Sequence, residues 1–214
     1  MAREMLEELL QRASARHDHL CPRQVLGVRM GMYAAELLDL PLPQDDKRLL
    51  TLIETDGCFA DGVAVATGCE LGHRTLRLVD YGKVAAAFID TQTGRAVRIA
   101  PTLDSREQAG KIAGEGNSRW RSYLEAYQVM AYEDLFMAQE VTLNFSVEAV
   151  VSKHGPRVTC AYCGEEIINE REVIANGEVL CRACAGDSYC TAQGEIASST
   201  PLPDTLLGTL HREF

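Results

Sequence analysis

The chain contains Cys160-Ala-Tyr-Cys163 and, after 17 intervening residues, Cys181-Arg-Ala-Cys184. Two CxxC pairs at this separation are typical of one tetrahedral metal ion with four thiolate ligands, most often zinc. Each CxxC turn lets two sulfur atoms converge on the same ion, while nearby backbone N–H groups stabilise their negative charge. Disulfide bonds and an iron site of the rubredoxin kind are the alternatives that these four cysteines leave open.

The residues between the two pairs favour the zinc interpretation. Glu172 to Leu180 alternate as a β-hairpin should, with Asn176-Gly177 at the turn. Gly164 directly follows the first pair, where a tight turn needs a permissive backbone. We therefore interpret this segment as a zinc ribbon with a structural zinc ion, a conclusion that does not yet say what the ribbon does.

Composition limits the class of protein. A chain of 214 residues with 46% hydrophobic content can form one medium domain and a small appendage. No apolar run approaches the length that a bilayer requires, and the amphipathic first residues lack the apolar region of a signal peptide. We therefore expect a cytoplasmic protein without a membrane segment, in which eight cysteines serve metal and thiol chemistry rather than disulfides.

Charge argues against a nucleic-acid partner. The net charge is −10, whereas nucleic-acid binding usually requires a basic surface. Within the ribbon, from Cys160 to Cys190, two arginines stand against six carboxylates. A structural or protein-contact role for the ribbon is favoured, and a zinc-ribbon regulator that binds DNA is disfavoured.

Hydrophobic periodicity predicts an α+β fold, in which N-terminal helices pack on a mainly antiparallel sheet ahead of the small ribbon. Helices are predicted at residues 2–16, 22–40, 58–67, 104–113 and 118–137, and strands at 48–55, 75–79, 84–90, 95–99 and 141–148. We expect a domain at 1–153, the ribbon at 154–190 and a tail at 191–214, with Lys153 to Pro156 as the linker. Gly27 and Gly31 should allow close packing of the second helix.

Aromatic residues recur at helical spacing in the fifth predicted helix. Trp120, Tyr123 and Tyr127 lie on one face together with Leu124. Such a stripe is more often part of a core than a ligand site, and we interpret it as core.

A second set of metal-ligand residues lies near the N-terminus. His17, His19 and Cys21 occupy alternate positions, so that an extended segment would direct all three side chains to one face. Three ligands of these types on one face are what a transition-metal site requires. Isolated surface or core histidines are the alternative interpretation of His17 and His19.

Of the two remaining cysteines in this region, Cys58 is the better candidate ligand. It would begin a helix, where the helix dipole and free N–H groups stabilise a thiolate and lower its pKa. Cys69 is eleven residues further on, roughly 16 Å away along a helix, and is expected to be a small buried hydrophobe. Asp56 and Asp61 could orient a ligating imidazole, or could serve as helix caps.

Taken in order, several short motifs resemble the FmdE family, named after the E subunit of formylmethanofuran dehydrogenase. They are His17-x-His19-x-Cys21-Pro22, Leu26-Gly27-x-Arg29-Met30, Glu54-Thr-Asp56-x-Cys58, Asp61-x-Val63, Thr67-Gly68-Cys69-x-x-Gly72, Thr75-Leu76, Asp80-x-Gly82-Lys83 and Arg95-Ala-Val-Arg98. The C-terminal ribbon is similar to that of the longer members. This chain has Asp18 and Arg23 where the family usually has glycine, which retains the ligands but can change the shape of the loop.

The resemblance implies an α+β domain, a homodimer and a metal site built from the N-terminal His/Cys segment and the Cys58 region. FmdE is an accessory of a molybdenum or tungsten pterin enzyme that fixes CO2 as a formyl group on methanofuran. This sequence contains no pterin-binding domain and no iron–sulfur cluster motif, so it cannot perform that redox chemistry by itself. Whether it is an enzyme stays open.

Two functional hypotheses follow. The first is a metal-binding protein with structural zinc on Cys160, Cys163, Cys181 and Cys184, and a second, open site formed by a subset of His17, His19, Cys21 and Cys58. We expect zinc in the second site, with iron and nickel as alternatives, a small ligand beside it, and Cys58 as its candidate catalytic residue. The second hypothesis is an accessory module that docks on a larger oxidoreductase and has no chemistry of its own.

Overall fold

The computed structural model describes residues 2–114, 116–151, 157–191 and 193 of the chain. The chain divides into two compact units, residues 1–152 and 153–214. The predicted linker at 153–156 and nearly all of the predicted tail lie outside the described residues, so the domain limits drawn from the sequence stay a prediction. Among the described residues, no helix combines the length and the apolar character needed to cross a membrane.

The first unit contains a five-stranded sheet and the helices that surround it. Its elements are α1 (Ala2–Ser14), α2 (Pro22–Leu38), β1 (Leu49–Ile53), α3 (Cys58–Thr67), β2 (Leu76–Leu78), β3 (Ala86–Asp90), β4 (Ala96–Pro101), α4 (Ser105–Ala113), α5 (Arg119–Val129), α6 (Tyr132–Leu135), β5 (Phe136–Glu140) and α7 (Val147–Val151). The strand order is β2-β1-β3-β4-β5. Only β1 and β2 pair in parallel, because the helical crossover α3 connects them. The predicted α+β class with a mainly antiparallel sheet is confirmed.

The two faces of the sheet are covered differently. Helices α1, α2, α3 and α5 bury the face that includes Leu49, Phe88 and Ile99. The opposite face, with Leu50 and Ile89, is covered by the segment from Val141 to Val150. The helical face therefore forms the main core, and the chemistry-bearing segments before α2 and α3 start from it.

Glycines bring α2 and α3 unusually close together. A Cβ on Gly27 would lie 2.3 Å from the carbonyl oxygen of Phe59, and one on Gly62 would lie 2.3 Å from that of Gln24. Further along, a Cβ on Gly31 would lie 2.6 Å from the Cβ of Ala66. The predicted close packing at Gly27 and Gly31 is confirmed. Since the contacts advance together along both helices, the two helices run in the same direction.

The prediction of one helix at 118–137 is wrong. Helix α5 ends at Val129 because Met130 takes an extended conformation, with φ −60° and ψ 144°, and the short helix α6 follows. Residues 136–140 then form β5, whose pairing with β4 aligns Pro101 with Phe136 and Val97 with Glu140. Helical spacing in the sequence continued past the true end of the helix, and pairing with β4 overrode it.

The prediction of a strand at 141–148 is also wrong. Residues 141–146 have no regular structure, and α7 begins at Val147. Val141, Leu143 and Val147 pack against the second face of the sheet. The alternation of apolar and polar residues therefore records one buried side of an irregular segment, without the hydrogen-bonded partner that a strand needs.

The second unit consists of two small hairpins, β6 (Val158–Thr159) with β7 (Glu166–Ile167), and β8 (Val173–Ala175) with β9 (Glu178–Leu180). Asn176 and Gly177 both have positive φ, 53° and 83°, as a tight hairpin turn requires, and the predicted hairpin is confirmed. Among the described residues of this unit, only Cys160 and Ile167 are buried. Such a small core cannot stabilise a fold by itself, so a cross-link must contribute.

Candidate metal sites and cavity

The four ribbon cysteines form a compact ligand set. The sulfur atoms of Cys160, Cys163, Cys181 and Cys184 all lie within 4.8 Å of one another. The Cys163 and Cys181 sulfurs are 3.9 Å apart. Four sulfurs at about 2.3 Å from a tetrahedral zinc ion would be about 3.8 Å from each other. The distances therefore fit a four-thiolate metal site of the size that zinc takes.

Backbone groups around these sulfurs favour their ionised form. The N–H group of Cys181 donates to the Cys160 sulfur at 3.3 Å, and that of Cys184 donates to the Cys181 sulfur at 3.4 Å. Gly164, with φ 77°, closes the first turn so that the chain can return to Glu165. The local fold thus directs N–H donors at the metal-binding atoms, as expected for a thiolate site.

The pKa values of the four thiols are pushed apart. Backbone hydrogen bonds from Cys163 and Cys181 lower the pKa of Cys160 to about 6. The Cys181 side chain, through a hydrogen bond, and then burial raise the pKa of Cys184 to about 12. Four thiols at these distances cannot all ionise unless a cation compensates their charge, which a divalent metal does.

In the first unit, the close packing of α2 and α3 places two cysteines side by side. Cys21 is the N-cap of α2, and Cys58 is the first residue of α3. Their side chains share a hydrogen bond. The helices run in the same direction and cross at glycines, so their N-termini begin at the same place and bring the two thiols together.

A buried hydrogen-bond bridge fixes the position of Cys21. The fully buried side chain of Gln24 accepts from the Cys21 N–H group at 2.9 Å and donates to the Ala13 carbonyl at 2.7 Å. The predicted role of Pro22 as the first helical residue is confirmed. The backbone that presents the Cys21 thiol is therefore held by contacts to two helices.

The segment before Cys58 is held from the sheet. Glu54, one residue after β1, forms two hydrogen bonds with the Arg98 guanidinium at 2.6 and 2.7 Å. Gly57 then takes φ 74°, a conformation that favours glycine, and α3 begins. The chain turns sharply between the ion pair and the cysteine, which fixes where the thiol emerges.

The predicted lowering of the Cys58 pKa is wrong. Burial raises the pKa of the thiol first, and the hydrogen bond and charge of Cys21 raise it further. A backbone hydrogen bond at the start of α3 acts in the expected direction but is outweighed, and Asp61 adds to the rise. Two adjacent thiols beside a carboxylate hold their protons until a cation replaces them.

The two histidines take different partners. His17 Nε2 lies 2.7 Å from an Asp61 carboxylate oxygen, so Asp61 contacts an imidazole as the sequence suggested. The His19 ring lies 6.4 Å from that of Trp120, at an angle of 50°. Residues 15–19 form turns and bends rather than an extended segment, so His17, His19 and Cys21 do not share one face in the way expected.

The N-terminal candidates do not converge as the ribbon does. Across the described part of the chain, the ribbon is the only group in which three or more ligand atoms lie within 4.8 Å of one another. The structure pairs Cys21 with Cys58 and His17 with Asp61, and keeps His19 beside Trp120. Cys69 is buried in the main core, where it accepts a hydrogen bond from the Thr51 hydroxyl at 3.3 Å, as its predicted role of a small buried residue requires.

A cavity of about 720 Å³ lies beside the two thiols. Cys21 and Cys58 line it, and opposite them stand three aromatic side chains of α5, Trp120, Tyr123 and Tyr127. The interpretation of the aromatic stripe as core is therefore incomplete: Tyr127 is buried, but Trp120 is 49% exposed and belongs to the cavity wall. The sequence contained the helical spacing but not which neighbour the stripe would face.

Two arginines of the cavity were not recognised in the sequence as site residues. Arg23, in the first turn of α2, and Arg106, in the first turn of α4, both line the cavity. Arg106 also forms a hydrogen bond with the Tyr127 side chain. Arg23 did carry a signal, because it replaces a glycine next to the Cys-Pro pair.

A four-thiolate ribbon, together with an α+β unit in which two thiols open to a cavity, defines a metal-binding class of protein. The family model described as "FmdE, Molybdenum formylmethanofuran dehydrogenase operon" matches residues 16–137, more than half of the chain. The chain belongs to the FmdE family.

Two individual proteins are similar to it. A probable S-adenosyl-L-methionine-binding protein of Archaeoglobus fulgidus is 30% identical over 205 residues, which cover 86% of this chain and 54% of that protein. The chain thus spans about half the length of this curated relative. The crystal structure of an FmdE-like protein of tungsten formylmethanofuran dehydrogenase, from Syntrophus aciditrophicus, has a TM-score of 0.52 and 24% identity, with 87% of this chain and 95% of that chain covered. At this identity the likeness concerns the fold.

Proposed function

We propose that this protein carries two metals, a structural zinc in the ribbon and a second transition metal at Cys21 and Cys58, and that it binds a small ligand beside the second metal. One observation carries this proposal: two cysteine side chains, brought together by two helix N-termini, open into a cavity large enough for a ligand. Zinc is the metal that we expect in both sites, since thiolate and imidazole ligands suit it.

The ligand set of the second site follows from the contacts. Cys21 and Cys58 share a hydrogen bond, so their sulfurs are close enough to serve one ion. His17 is the third candidate, because Asp61 occupies Nε2 and leaves Nδ1 available, an arrangement in which a carboxylate orients a ligating imidazole. His19, near the Trp120 side of the cavity, is the fourth. Three protein ligands would leave one position for a water molecule or a ligand.

The chemistry of such a site is that of an open metal centre. A bound metal of this kind polarises a carbonyl group or lowers the pKa of a water molecule. The protein's own residues contribute the enclosure, with the aromatic residues of α5 limiting access of water, and the arginines of the cavity supplying positive charge. Cys58 lies on the cavity wall at a helix start and is the candidate catalytic residue.

The test is the metal content per chain, measured by elemental analysis on the full-length protein and on Cys58→Ser. We expect about two metals in the unmodified protein and about one in the variant, because loss of one of two thiolates removes the second metal. Cys69→Ala is the matched control: it alters a cysteine of the same unit that does not line the cavity, and it should retain both metals. If Cys58→Ser keeps the metal content of the unmodified protein, Cys58 is not a ligand.

A second candidate function, an accessory module on a larger oxidoreductase, is favoured by the surface of the ribbon. Tyr162 and Tyr189 are 84% and 100% exposed, and Ile174 is 65% exposed. Exposed aromatic residues on an acidic module are more typical of a protein contact than of an isolated structural element. Sedimentation of the purified protein, which should form a homodimer in either case, and co-purification with a larger dehydrogenase would test it; recovery of self-dimers alone would count against it.

A further inference from the structure

We infer that the cavity binds a small organic anion that carries a planar ring, with the ring against Trp120 and the anionic group between Arg23 and Arg106. The inference rests on the ligand-binding role proposed above and names its ligand class. The charge, the shape and the size of the cavity each point to this class.

The charge of the cavity is opposite to that of the protein. The chain has 31 acidic and 21 basic residues, yet among the described residues that line the cavity there are two arginines and no carboxylate. The carboxylate that acts on Cys58, Asp61, is already engaged by His17 at 2.7 Å and by Arg16 at 3.6 Å. A local positive field on an acidic protein concentrates anions at this one place.

The arginines are placed to hold an anion rather than to stabilise the fold. Arg23 and Arg106 are both exposed, and they reach the cavity from the first turns of two different helices. The hydrogen bond between Arg106 and Tyr127 fixes the guanidinium of Arg106 against the cavity wall. Guanidinium groups fixed in this way form strong, directional hydrogen bonds with carboxylate and phosphate groups.

The shape of the cavity requires a flat partner. The rings of Tyr123 and Tyr127 are stacked, 5.6 Å apart at an angle of 10°, and give the wall a planar section. Trp120, one helical turn before Tyr123, is half exposed, and the tilted His19 ring does not stack on it in parallel. An exposed indole beside stacked tyrosines is a surface on which a planar ring can stack.

The size excludes a bare inorganic anion as the intended ligand. A cavity of about 720 Å³ lies within the range, roughly 300–1,000 Å³, of pockets for organic ligands. Leu26, Val84 and Pro101 add apolar lining, which phosphate or carbonate would leave without a partner. The charge also disfavours S-adenosyl-L-methionine, whose sulfonium group would face two arginines without a carboxylate in the lining.

The chain contains one tryptophan, so the fluorescence of Trp120 reports directly on the cavity. The probe is adenosine monophosphate, compared with adenosine, which has the same ring system without the charge, and with inorganic phosphate, which has the charge without the ring. S-adenosyl-L-methionine is the fourth titrant. We expect saturable quenching by adenosine monophosphate, and binding about tenfold or more weaker for each of the other three.

Two variants locate the anion. Arg23→Gln and Arg106→Gln should each weaken binding of adenosine monophosphate by about tenfold and leave the weak binding of adenosine unchanged. Arg121→Gln is the matched control on α5: this exposed arginine pairs with Glu125 and does not line the cavity, so binding should not change. The adenosine titration also shows that each variant retains the cavity.

Three results would overturn the inference: no saturable binding of adenosine monophosphate, equal binding of adenosine, or tighter binding of S-adenosyl-L-methionine. Metal content measured on the same samples separates this inference from the proposed function. Two metals per chain without anion binding would refute the ligand class and leave the metal site standing. Anion binding by a protein with metal only in its ribbon would support the ligand class and refute the second metal.

Discussion

The two cysteine sites of this protein differ in how they are assembled. The ribbon gathers four thiols from a segment of 25 residues, each pair within one turn of the chain. Cys21 and Cys58 are 37 positions apart, and they meet only because two helices cross at glycines. Local assembly gives a closed set of four ligands, whereas tertiary assembly gives a pair of ligands that opens to a cavity. Closed sets are typical of structural metals and open sets of functional ones.

The units that hold these sites also differ in what stabilises them. The first unit buries a large apolar core on one face of its sheet, so its fold does not depend on a metal. The ribbon buries only Cys160 and Ile167 among its described residues. A metal in the ribbon therefore serves as the core that the ribbon lacks, while a metal in the first unit would act on a preformed cavity.

The largest effect that we expect is the loss of the ribbon fold in Cys160→Ser. Without one of four thiolates the metal leaves, and without the metal the small unit cannot hold its hairpins together. Elemental analysis should show one metal fewer per chain, and limited proteolysis should cut between residues 160 and 184. The first unit should unfold at the same urea concentration as before.

Cys190→Ser provides the control for that experiment. Cys190 is exposed and does not belong to the four-sulfur group, so metal content and proteolysis should match those of the unmodified protein. A ribbon that stays resistant to protease in Cys160→Ser would show that the hairpins fold without the metal, and the contrast between the two units would fail.

A smaller effect is expected when the helix crossing is widened. In Gly27→Ala the new methyl group would lie 2.3 Å from a backbone oxygen of α3, which cannot move aside as a side chain can. We expect the free energy of unfolding of the first unit to fall by about 2–3 kcal/mol in urea titrations. The shift should also separate Cys21 from Cys58 and reduce the second metal, while the ribbon metal stays.

Gly110→Ala is the matched substitution for the crossing. Gly110 lies within α4, and a Cβ there would meet nothing within 4 Å. Since alanine favours a helix more than glycine does, we expect this variant to be unchanged or more stable by up to about 1 kcal/mol. Equal destabilisation by both substitutions would mean that the close contact of α2 and α3 does not determine the position of the thiols.

The smallest of these effects concerns acid, to which the first unit is sensitive through Asp90. Burial alone would raise the pKa of Asp90, but hydrogen bonds from the Gln92 N–H, the Arg48 guanidinium and the Thr93 hydroxyl together lower it. A carboxyl group with a lowered pKa in the folded state stabilises the fold above its unfolded pKa, about 3.9, and this contribution is lost as the pH falls through the folded value.

Asp90→Asn should therefore lower the free energy of unfolding of the first unit by about 1–2 kcal/mol at pH 7. The difference between variant and unmodified protein should shrink as the pH falls below about 4, because the unmodified carboxyl group then gains a proton as well. Urea titrations at pH 7, 5 and 3 measure this. A difference that stays constant over this range would show that the hydrogen bonds of Asp90 do not depend on its charge.

The sequence by itself determined the elements whose signals are local. The CxxC spacing and Asn176-Gly177 predicted the four-sulfur group and its hairpin, and Pro22 and Gly68 marked the start of α2 and the end of α3. These signals depend on turn geometry within a few residues, and such geometry is the same wherever the segment lies. The FmdE motifs added the family, which the family comparison then showed.

Only the tertiary structure decided where helical spacing ends and what each site residue faces. The apolar spacing after Val129 suits a helix or a strand, and pairing with β4 chose the strand. His17 and His19 follow the same alternation as Cys21, yet one contacts Asp61 and the other lies near Trp120. The cavity depends on α2, α3, α4 and α5 together, because burial and charge neighbours arise from contacts between segments distant in sequence, which spacing along the chain does not record.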